Sequence, residues 1–342
     1  ISLIEYSAFF GSIKIIQFLL SNKIELNSSL LLFAIHSQNL ELIQNIEQQI
    51  SKQNDNFYEE CLIESIKCHH NKITDYFLNK FVKKNEIECL KYYNFNYFNM
   101  NFIDKSIFHN LCKYDYSFII KNLFDSSEFD LDLNEKIFQR IIRIESDEKE
   151  MEIIEYEKTA LLVSVEKGNI QVVNLLLSHK DIDVNVKSEC KHFYFYGLKT
   201  SEKTALHAAI ENENCEIVEL LIDKKDADLN IKMINKYEKG NNYKHVEEKP
   251  SLFVAIEKEN TKIINFLLAR KEIDVNSKFI SKEEAASRYC IEKSPLHLAV
   301  EKENRLIVQS LLTVKEINVN DNFIESYVSD SNSYSREKQA LH

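Results

Sequence analysis

Short amphipathic segments occur in pairs along this chain. Leu206, Ala209 and Ile210 lie at i, i+3 and i+4, the spacing that places apolar side chains on one face of a helix. A polar break follows at residues 211–214, and residues 217–222 then form a second apolar face. Each pair therefore predicts two short helices joined by a tight turn, with too little apolar surface to be stable without neighbours.

The same pattern occurs four times in phase. The copies begin at Lys158, Lys203, Lys249 and Lys293, so the period is about 45 residues. A fifth copy begins at Lys338, and we expect the natural chain to continue beyond it. A fixed period of this kind is typical of repeat proteins, in which each unit buries its apolar face against the next.

Two stretches of the repeat have a family signature. Residues 204–209 (T-A-L-H-A-A) and 294–299 (S-P-L-H-L-A) resemble the T-P-L-H-x-A signature of ankyrin repeats. The resemblance implies an all-α fold, an ankyrin-type helix-turn-helix repeat solenoid with β-hairpin fingers. It also implies that the histidine hydrogen-bonds neighbouring turns. The residues expected to carry this repeat structure are Thr204, Leu206, His207, Ala209, Pro295, Leu296, His297 and Ala299.

The other segments fit this unit less closely. We predict degenerate, compact ankyrin-like helix pairs in residues 1–85, an irregular linker or helix in 86–104, and a divergent repeat with a long hairpin in 105–157. Residues 158–337 contain the four regular repeats, and 338–342 begin a truncated further repeat. The positions that align with Ala209 in the other units are Ser7, Ala34, Ser65, Leu111, Ser164, Ala255 and Ala299.

The later copies each carry an insertion of roughly a dozen residues relative to a generic ankyrin unit, between a D-x-N turn and the next repeat. In ankyrin repeats this junction is a β-hairpin, which is called a finger. The aromatic side chains there either pack finger against finger as a continuous sheet or form a stripe that binds a partner, and a two-faced ribbon could do both. The residues predicted to contact a partner are His192, Phe193, Tyr194, Phe195, Tyr196, Tyr243, His245, Tyr289 and Tyr327.

The sequence contains few features of a catalytic or metal-binding site. The four glycines are far apart, which excludes a phosphate-cradling loop, and neither G-x-S-x-G nor H-E-x-x-H occurs. Cys61, Cys68, His69 and His70 are residue types that bind zinc, but the two cysteines share an inward helix face, so we interpret them as structural. We predict no catalytic, cofactor-binding or metal-binding residue, no cofactor, and no enzymatic activity.

Composition and charge limit the partners and the cellular locations that we expect for this chain. A net charge of −11 opposes nucleic-acid binding, which depends on lysine and arginine. Seven irregularly spaced cysteines indicate free thiols and a cytoplasmic location. No apolar run reaches the roughly 18 residues of a membrane span, so we expect no membrane insertion. The scarcity of glycine and proline is typical of AT-rich, protist-like coding DNA.

These observations favour a non-catalytic scaffold for protein–protein interaction that uses the finger and first-helix face of the solenoid. The partner would be a protein of unknown identity. Two alternatives stay open: a structural array that self-associates into a filament or head-to-tail polymer, and a recruiting arm of a larger multidomain enzyme. The inference of binding depends on the family resemblance, since a fold alone does not define a function.

Overall fold

The computed structural model describes residues 1–22, 24, 27–50, 55–80, 86–99, 103–126, 130–144, 151–194, 197–240, 243–285, 287–329 and 333–339. The chain divides into two units, residues 1–110 and 111–342. Among the helices formed by the described residues, none is long and apolar enough to cross a membrane.

The first unit consists of successive helix pairs. In chain order these are α1 (Leu3–Phe9) with α2 (Ile13–Ser21), α3 (Ser29–His36) with α4 (Leu40–Gln49), α5 (Asp55–Lys67) with α6 (Asn71–Leu78), and α7 (Glu86–Lys91) with a 3-10 helix (Phe95–Tyr97). The first helices α1, α3, α5 and α7 pack side by side. Their buried faces form one apolar core that includes Leu31, Ala34, Cys61 and Ile66. Helix α8 (Lys105–Lys113) begins in this unit and ends in the second.

The second unit alternates helix pairs with hairpins. Its helices are α9 (Ser117–Phe124), α10 (Ala160–Lys167), α11 (Ile170–Ser178), α12 (Ala205–Glu211), α13 (Cys215–Ile222), α14 (Ser251–Glu257), α15 (Thr261–Leu268), α16 (Pro295–Glu301) and α17 (Arg305–Leu312). The first helices α10, α12, α14 and α16 pack in a row, and the second helices α9, α11, α13, α15 and α17 pack in another. The apolar faces predicted from the period are therefore buried between repeats.

One hairpin precedes each of α10, α12, α14 and α16, and a further one follows α17. The strands are β1 (Lys136–Ile144), β2 (Met151–Thr159), β3 (Ser188–Tyr194), β4 (Gly197–Lys203), β5 (Lys232–Lys239), β6 (Tyr243–Pro250), β7 (Phe279–Glu284), β8 (Ser287–Lys293), β9 (Asn322–Ser329) and β10 (Ser333–Gln339). Each finger of the sequence prediction is one such hairpin.

The prediction of an all-α fold is wrong. The chain is 47% helix and 23% strand, and ten strands of the described residues form one antiparallel sheet in the order β1 to β10. The inserted residues are enough for two strands per repeat, and regular stacking brings each hairpin within hydrogen-bonding distance of the next. Strand β4, for example, pairs with β5 as well as with its own hairpin partner β3.

A left-handed residue joins the two helices of each pair. The φ angle of this residue lies between 53° and 72° in every pair. In the first unit the residues are Gly11, Gln38, His69 and Tyr93, and in the second they are Asp115, Gly168, Glu213, Glu259 and Glu303. The next residue's N–H commonly donates to the carbonyl five residues before it, as from Asn214 to Ala209 at 3.0 Å. Small or apolar residues at the Ala209 position let this turn pack closely.

Residues 86–99 have the same order of elements as a helix pair. Helix α7 is followed by the left-handed Tyr93, and the N–H of Asn94 donates to the carbonyl of Cys89 at 2.9 Å. Cys89 is therefore equivalent to Ala209, whose carbonyl accepts the same hydrogen bond, and like Ala209 it is buried. The sequence pattern did not reveal this pair because its second element is only a short 3-10 helix.

Candidate protein-binding surface

The sheet of the second unit has two faces, and its register assigns each side chain to one of them. Directly paired residues of antiparallel strands point to the same side, and successive residues alternate. One continuous row crosses all ten strands of the described sheet. From β1 to β10 it consists of Ile141, Ile154, His192, Lys199, Tyr237, His245, Glu283, Tyr289, Tyr327 and Tyr334. We call the face that carries this row the inner face, and the opposite one the outer face.

The base of the inner face contacts the first helices. In the four fingers that precede α10, α12, α14 and α16, a lysine near the end of the second strand forms an ion pair with a glutamate eight residues later, near the end of the first helix. The pairs are Lys158–Glu166 at 2.6 Å, Lys203–Glu211 at 2.7 Å, Lys249–Glu257 at 3.0 Å and Lys293–Glu301 at 2.8 Å. These ion pairs fix the fingers to the helices on this side of the sheet.

Aromatic rings add to the contact between finger and helix. Phe279 of β7 stacks on Phe253 of α14 with ring centroids 4.8 Å apart. The Lys249 ammonium also lies over the Phe279 ring, 5.7 Å from its centroid. The Lys293 ammonium has the same relation to Phe323 in the next finger, at 5.6 Å. The fingers that carry Phe279 and Phe323 are therefore each held by a lysine of the preceding finger.

Most of the predicted contact residues lie on the inner face. His192, Tyr194, Tyr243, His245, Tyr289 and Tyr327 all point to this side. Phe193 points to the outer face. Phe195 and Tyr196 lie outside the described residues. The row also places Lys199, Tyr237 and Glu283 between them and Tyr334 at its end, and the strand register assigns these neighbours to the same face.

Side-chain contacts link neighbouring fingers along the row. The Tyr289 hydroxyl donates to Glu325 Oε1 at 2.6 Å. This hydrogen bond, together with burial, raises the pKa of Tyr289 to about 12, because it stabilises the neutral phenol. His245 Nε2 lies 2.9 Å from Ser281 Oγ in the next finger. Within the last described finger, Tyr327 stacks on Tyr334 at 5.5 Å between centroids. These contacts restrain the rings of His245, Tyr289, Tyr327 and Tyr334.

His192 is held from both sides. Its Nε2 lies 3.4 Å from the Cys190 thiol and its Nδ1 lies 3.3 Å from Glu152 Oε1. The ring also stacks parallel to Tyr194, which is 46% exposed near the finger tip. A rigid aromatic ring with this exposure offers contact area at a low cost in conformational entropy.

The signature residues lie at the base of the repeats. Thr204 precedes α12, and its hydroxyl is 2.8 Å from His207 Nδ1. His207 is fully buried, and its Nε2 is 3.5 Å from Ser251 Oγ in the next repeat. Burial is the main reason why the pKa of His207 is lowered to about 4, and the charges of Lys187 and Lys203 act in the same direction.

The other signature copy has equivalent contacts. His297 Nδ1 lies 2.7 Å from Ser294 Oγ, and Pro295 is the first residue of α16. A proline fits there because the first helical N–H has no intrahelical acceptor. The remaining signature residues are buried, namely Leu206, Ala209, Leu296 and Ala299.

Comparison with known proteins identifies the class. The family model for ankyrin repeats, which describes three copies, matches residues 108–233 and 190–279. These matches cover about half of the chain, and the chain belongs to the ankyrin-repeat family. No curated protein matches it. Ankyrin repeats are typically non-catalytic modules that mediate protein–protein interaction.

Proposed function

We propose that this chain is a protein-binding scaffold whose partner docks on the inner face of the finger sheet. The observation that supports this most strongly is the row from His192 to Tyr334, in which tyrosine and histidine side chains share one face with Lys199 and Glu283. Aromatic side chains beside polar groups are typical of residues that contribute most to interface energy.

The alternative role of these aromatic residues, packing of finger against finger, accounts for only part of the row. The Tyr289–Glu325 hydrogen bond links two neighbouring fingers, and the stacked pair Tyr327–Tyr334 joins the two strands of one finger. Tyr194 and Tyr334, however, are about half exposed. A sheet that is fixed at its base by ion pairs and exposes rings above them has the rigidity that lowers the entropic cost of binding.

The test compares the two faces of the same fingers. We expect the substitutions Tyr194→Ser and Tyr243→Ser together, on the inner face, to weaken capture of a partner from cell extract by more than about tenfold. The control combines Phe193→Ser and Lys244→Ser, which alter neighbouring residues on the outer face and should leave capture unchanged. Equal loss in the two variants, or loss only in the control, would refute inner-face docking.

We also propose that the protein acts in the cytoplasm. The seven cysteines are free thiols, four of them only partly buried. Free thiols of this kind persist in reducing compartments. Localisation of the tagged full chain by microscopy tests this proposal, and a signal confined to the secretory pathway would contradict it.

A further inference from the structure

Three metal-binding side chains converge in the first unit, outside the surface described above. His36 is the last residue of α3, Glu64 lies in the last turn of α5, and Cys68 is the first residue after that helix. The Cys68 thiol is 3.5 Å from His36 Nδ1 and 3.8 Å from Glu64 Oε1, and His36 Nε2 is 2.9 Å from Glu64 Oε1. Their donor atoms all lie within 4.8 Å of one another.

This convergence differs from a catalytic relay. In a nucleophile–imidazole–carboxylate triad, the imidazole stands between the other two groups. Here the thiol and the carboxylate are themselves only 3.8 Å apart. The cluster of Cys190, His192 and Glu152 has the same three residue types, and in both clusters the thiol and the carboxylate lie at opposite ring nitrogens. Among the described residues, only the group in the first unit has three such donor atoms close together.

The distances suit a small tetrahedral ion. Zinc bonds of about 2.3 Å to sulfur and about 2.0–2.1 Å to nitrogen place these two donors roughly 3.5 Å apart at a tetrahedral angle. The separation of Cys68 Sγ and His36 Nδ1 has this value, 3.5 Å. Glu64 Oε1 lies beside the other ring nitrogen, Nε2, so the carboxylate must move toward Nδ1 when a single ion binds. A thiolate, an imidazole and a carboxylate are also the ligand types that zinc takes from proteins.

The surroundings hold two of the donors in place. The His36 ring stacks on Phe9 with centroids 4.9 Å apart and planes inclined by 25°. The Lys67 ammonium holds the Glu64 carboxylate, at 3.2 Å from Oε2 and 3.4 Å from Oε1. Such supporting contacts orient the ligands of metal sites. Next to Cys68 a cavity of about 380 Å³ is lined by His69, His70 and Lys72.

We propose that His36, Glu64 and Cys68 bind one zinc ion, with water in a fourth position that opens to this cavity. Binding replaces the thiol proton of Cys68, which passes to solvent, and leaves a zinc thiolate. Because His36 belongs to one repeat and the other two ligands to the next, the ion connects two neighbouring helix pairs. Zinc therefore adds a cross-link between repeats in a region where each helix pair has little apolar surface.

Cobalt(II) titration of the full chain tests this site, because cobalt replaces zinc and its thiolate bond absorbs in the near ultraviolet. We expect one equivalent to produce a charge-transfer band and the visible bands of a tetrahedral complex, and zinc to displace both. The substitution Cys68→Ser should abolish the charge-transfer band. It should also weaken zinc binding by more than about a hundredfold, since loss of even an outer partner costs roughly 10- to 100-fold.

Matched variants distinguish this site from the remaining thiols of the chain. Cys190→Ser removes a partly buried thiol beside a histidine and a glutamate, and it should keep the band. Glu64→Gln tests the site without changing a cysteine, and circular dichroism verifies that each variant folds. The proposal is overturned if wild type gives no thiolate band, if Cys68→Ser retains it, or if Cys190→Ser abolishes it.

Discussion

The side-chain amide of Asn230 donates a hydrogen bond to the carbonyl of Glu272, 2.7 Å away in the next repeat. Its Oδ1 accepts from the N–H of Asp274, also at 2.7 Å. Equivalent amide-to-carbonyl bonds run from Asn134 to Asp181, from Asn185 to Asp226 and from Asn276 to Glu316. The asparagine of each D-x-N turn therefore fixes the corresponding loop of the following repeat.

We predict that Asn230→Ala lowers the free energy of unfolding by about 1 kcal/mol, because two backbone groups lose a side-chain partner at a site that water reaches. Asn320 is the control, since it occupies the equivalent turn of the last described finger and makes no such bond to the described residues. Asn320→Ala should change stability by less than about 0.5 kcal/mol. Urea unfolding followed by circular dichroism measures both, and equal losses would disprove the role of Asn230.

The left-handed turn residues predict a gain in stability. Glu303 has a φ of 53°, which costs an ordinary side chain roughly 1–2 kcal/mol. We expect Glu303→Gly to raise the free energy of unfolding by about 0.5–1 kcal/mol, since glycine's greater freedom in the unfolded chain cancels part of the gain.

Gly168 allows the opposite test, in which a left-handed glycine is replaced by a residue with a side chain. Its φ is 72°, and an added Cβ would meet only Asn214 Nδ2 at 3.8 Å, an ordinary contact. Gly168→Ala should therefore destabilise through backbone strain alone, by about 1 kcal/mol. Thermal unfolding of the two variants measures both effects. A stable Gly168→Ala and an unstable Glu303→Gly would contradict the assignment of these turns.

His207 makes the stability of the chain depend on pH. Its pKa is about 4 in the folded chain, against an ordinary value of 6.5. Between these values the unfolded chain takes up a proton that the folded chain does not, so stability falls as the pH decreases from about 6.5 to about 4. The loss from this group reaches up to about 3 kcal/mol.

His207→Gln removes this titration. The variant is less stable at neutral pH, because the contacts with Thr204 and Ser251 change, but its stability should depend less on pH over this range. Urea unfolding at a series of pH values measures the slopes for wild type and variant. Parallel curves would show that His207 does not titrate as its burial implies.

The helical part of the fold is evident in the sequence because packing imposes a strict pattern on it. Ala209, Ile210 and Ile217 are buried at the spacing that predicts them. The sheet is less evident, since both of its faces are partly exposed and its strands therefore lack apolar alternation. Ser281, Lys282 and Glu283 are one such stretch. Only the stacking of repeats brings these strands into register.

The candidate sites, like the sheet, are only partly evident in the sequence. Aromatic residues of the fingers can be selected by composition, but the separation of Phe193 from Tyr194 onto opposite faces needs the strand register. The cluster of His36, Glu64 and Cys68 joins residues of two degenerate repeats with different spacing. The sequence alone offers the pairs Cys61–Cys68 and His69–His70. In the structure Cys61 is buried in the core, and His69 is a left-handed turn residue.

Photocrosslinking from single sites on adjacent residues tests inner-face docking most directly. A photoreactive phenylalanine analogue would replace Tyr237 or Tyr327 on the inner face, and Glu238 or Val328 on the outer face, in otherwise unchanged chains. Val328 is 51% exposed, so access alone favours crosslinking from the outer face. The proposed docking predicts partner adducts from positions 237 and 327 and none from 238 and 328. Adducts from both faces alike, or from the outer positions only, would contradict it.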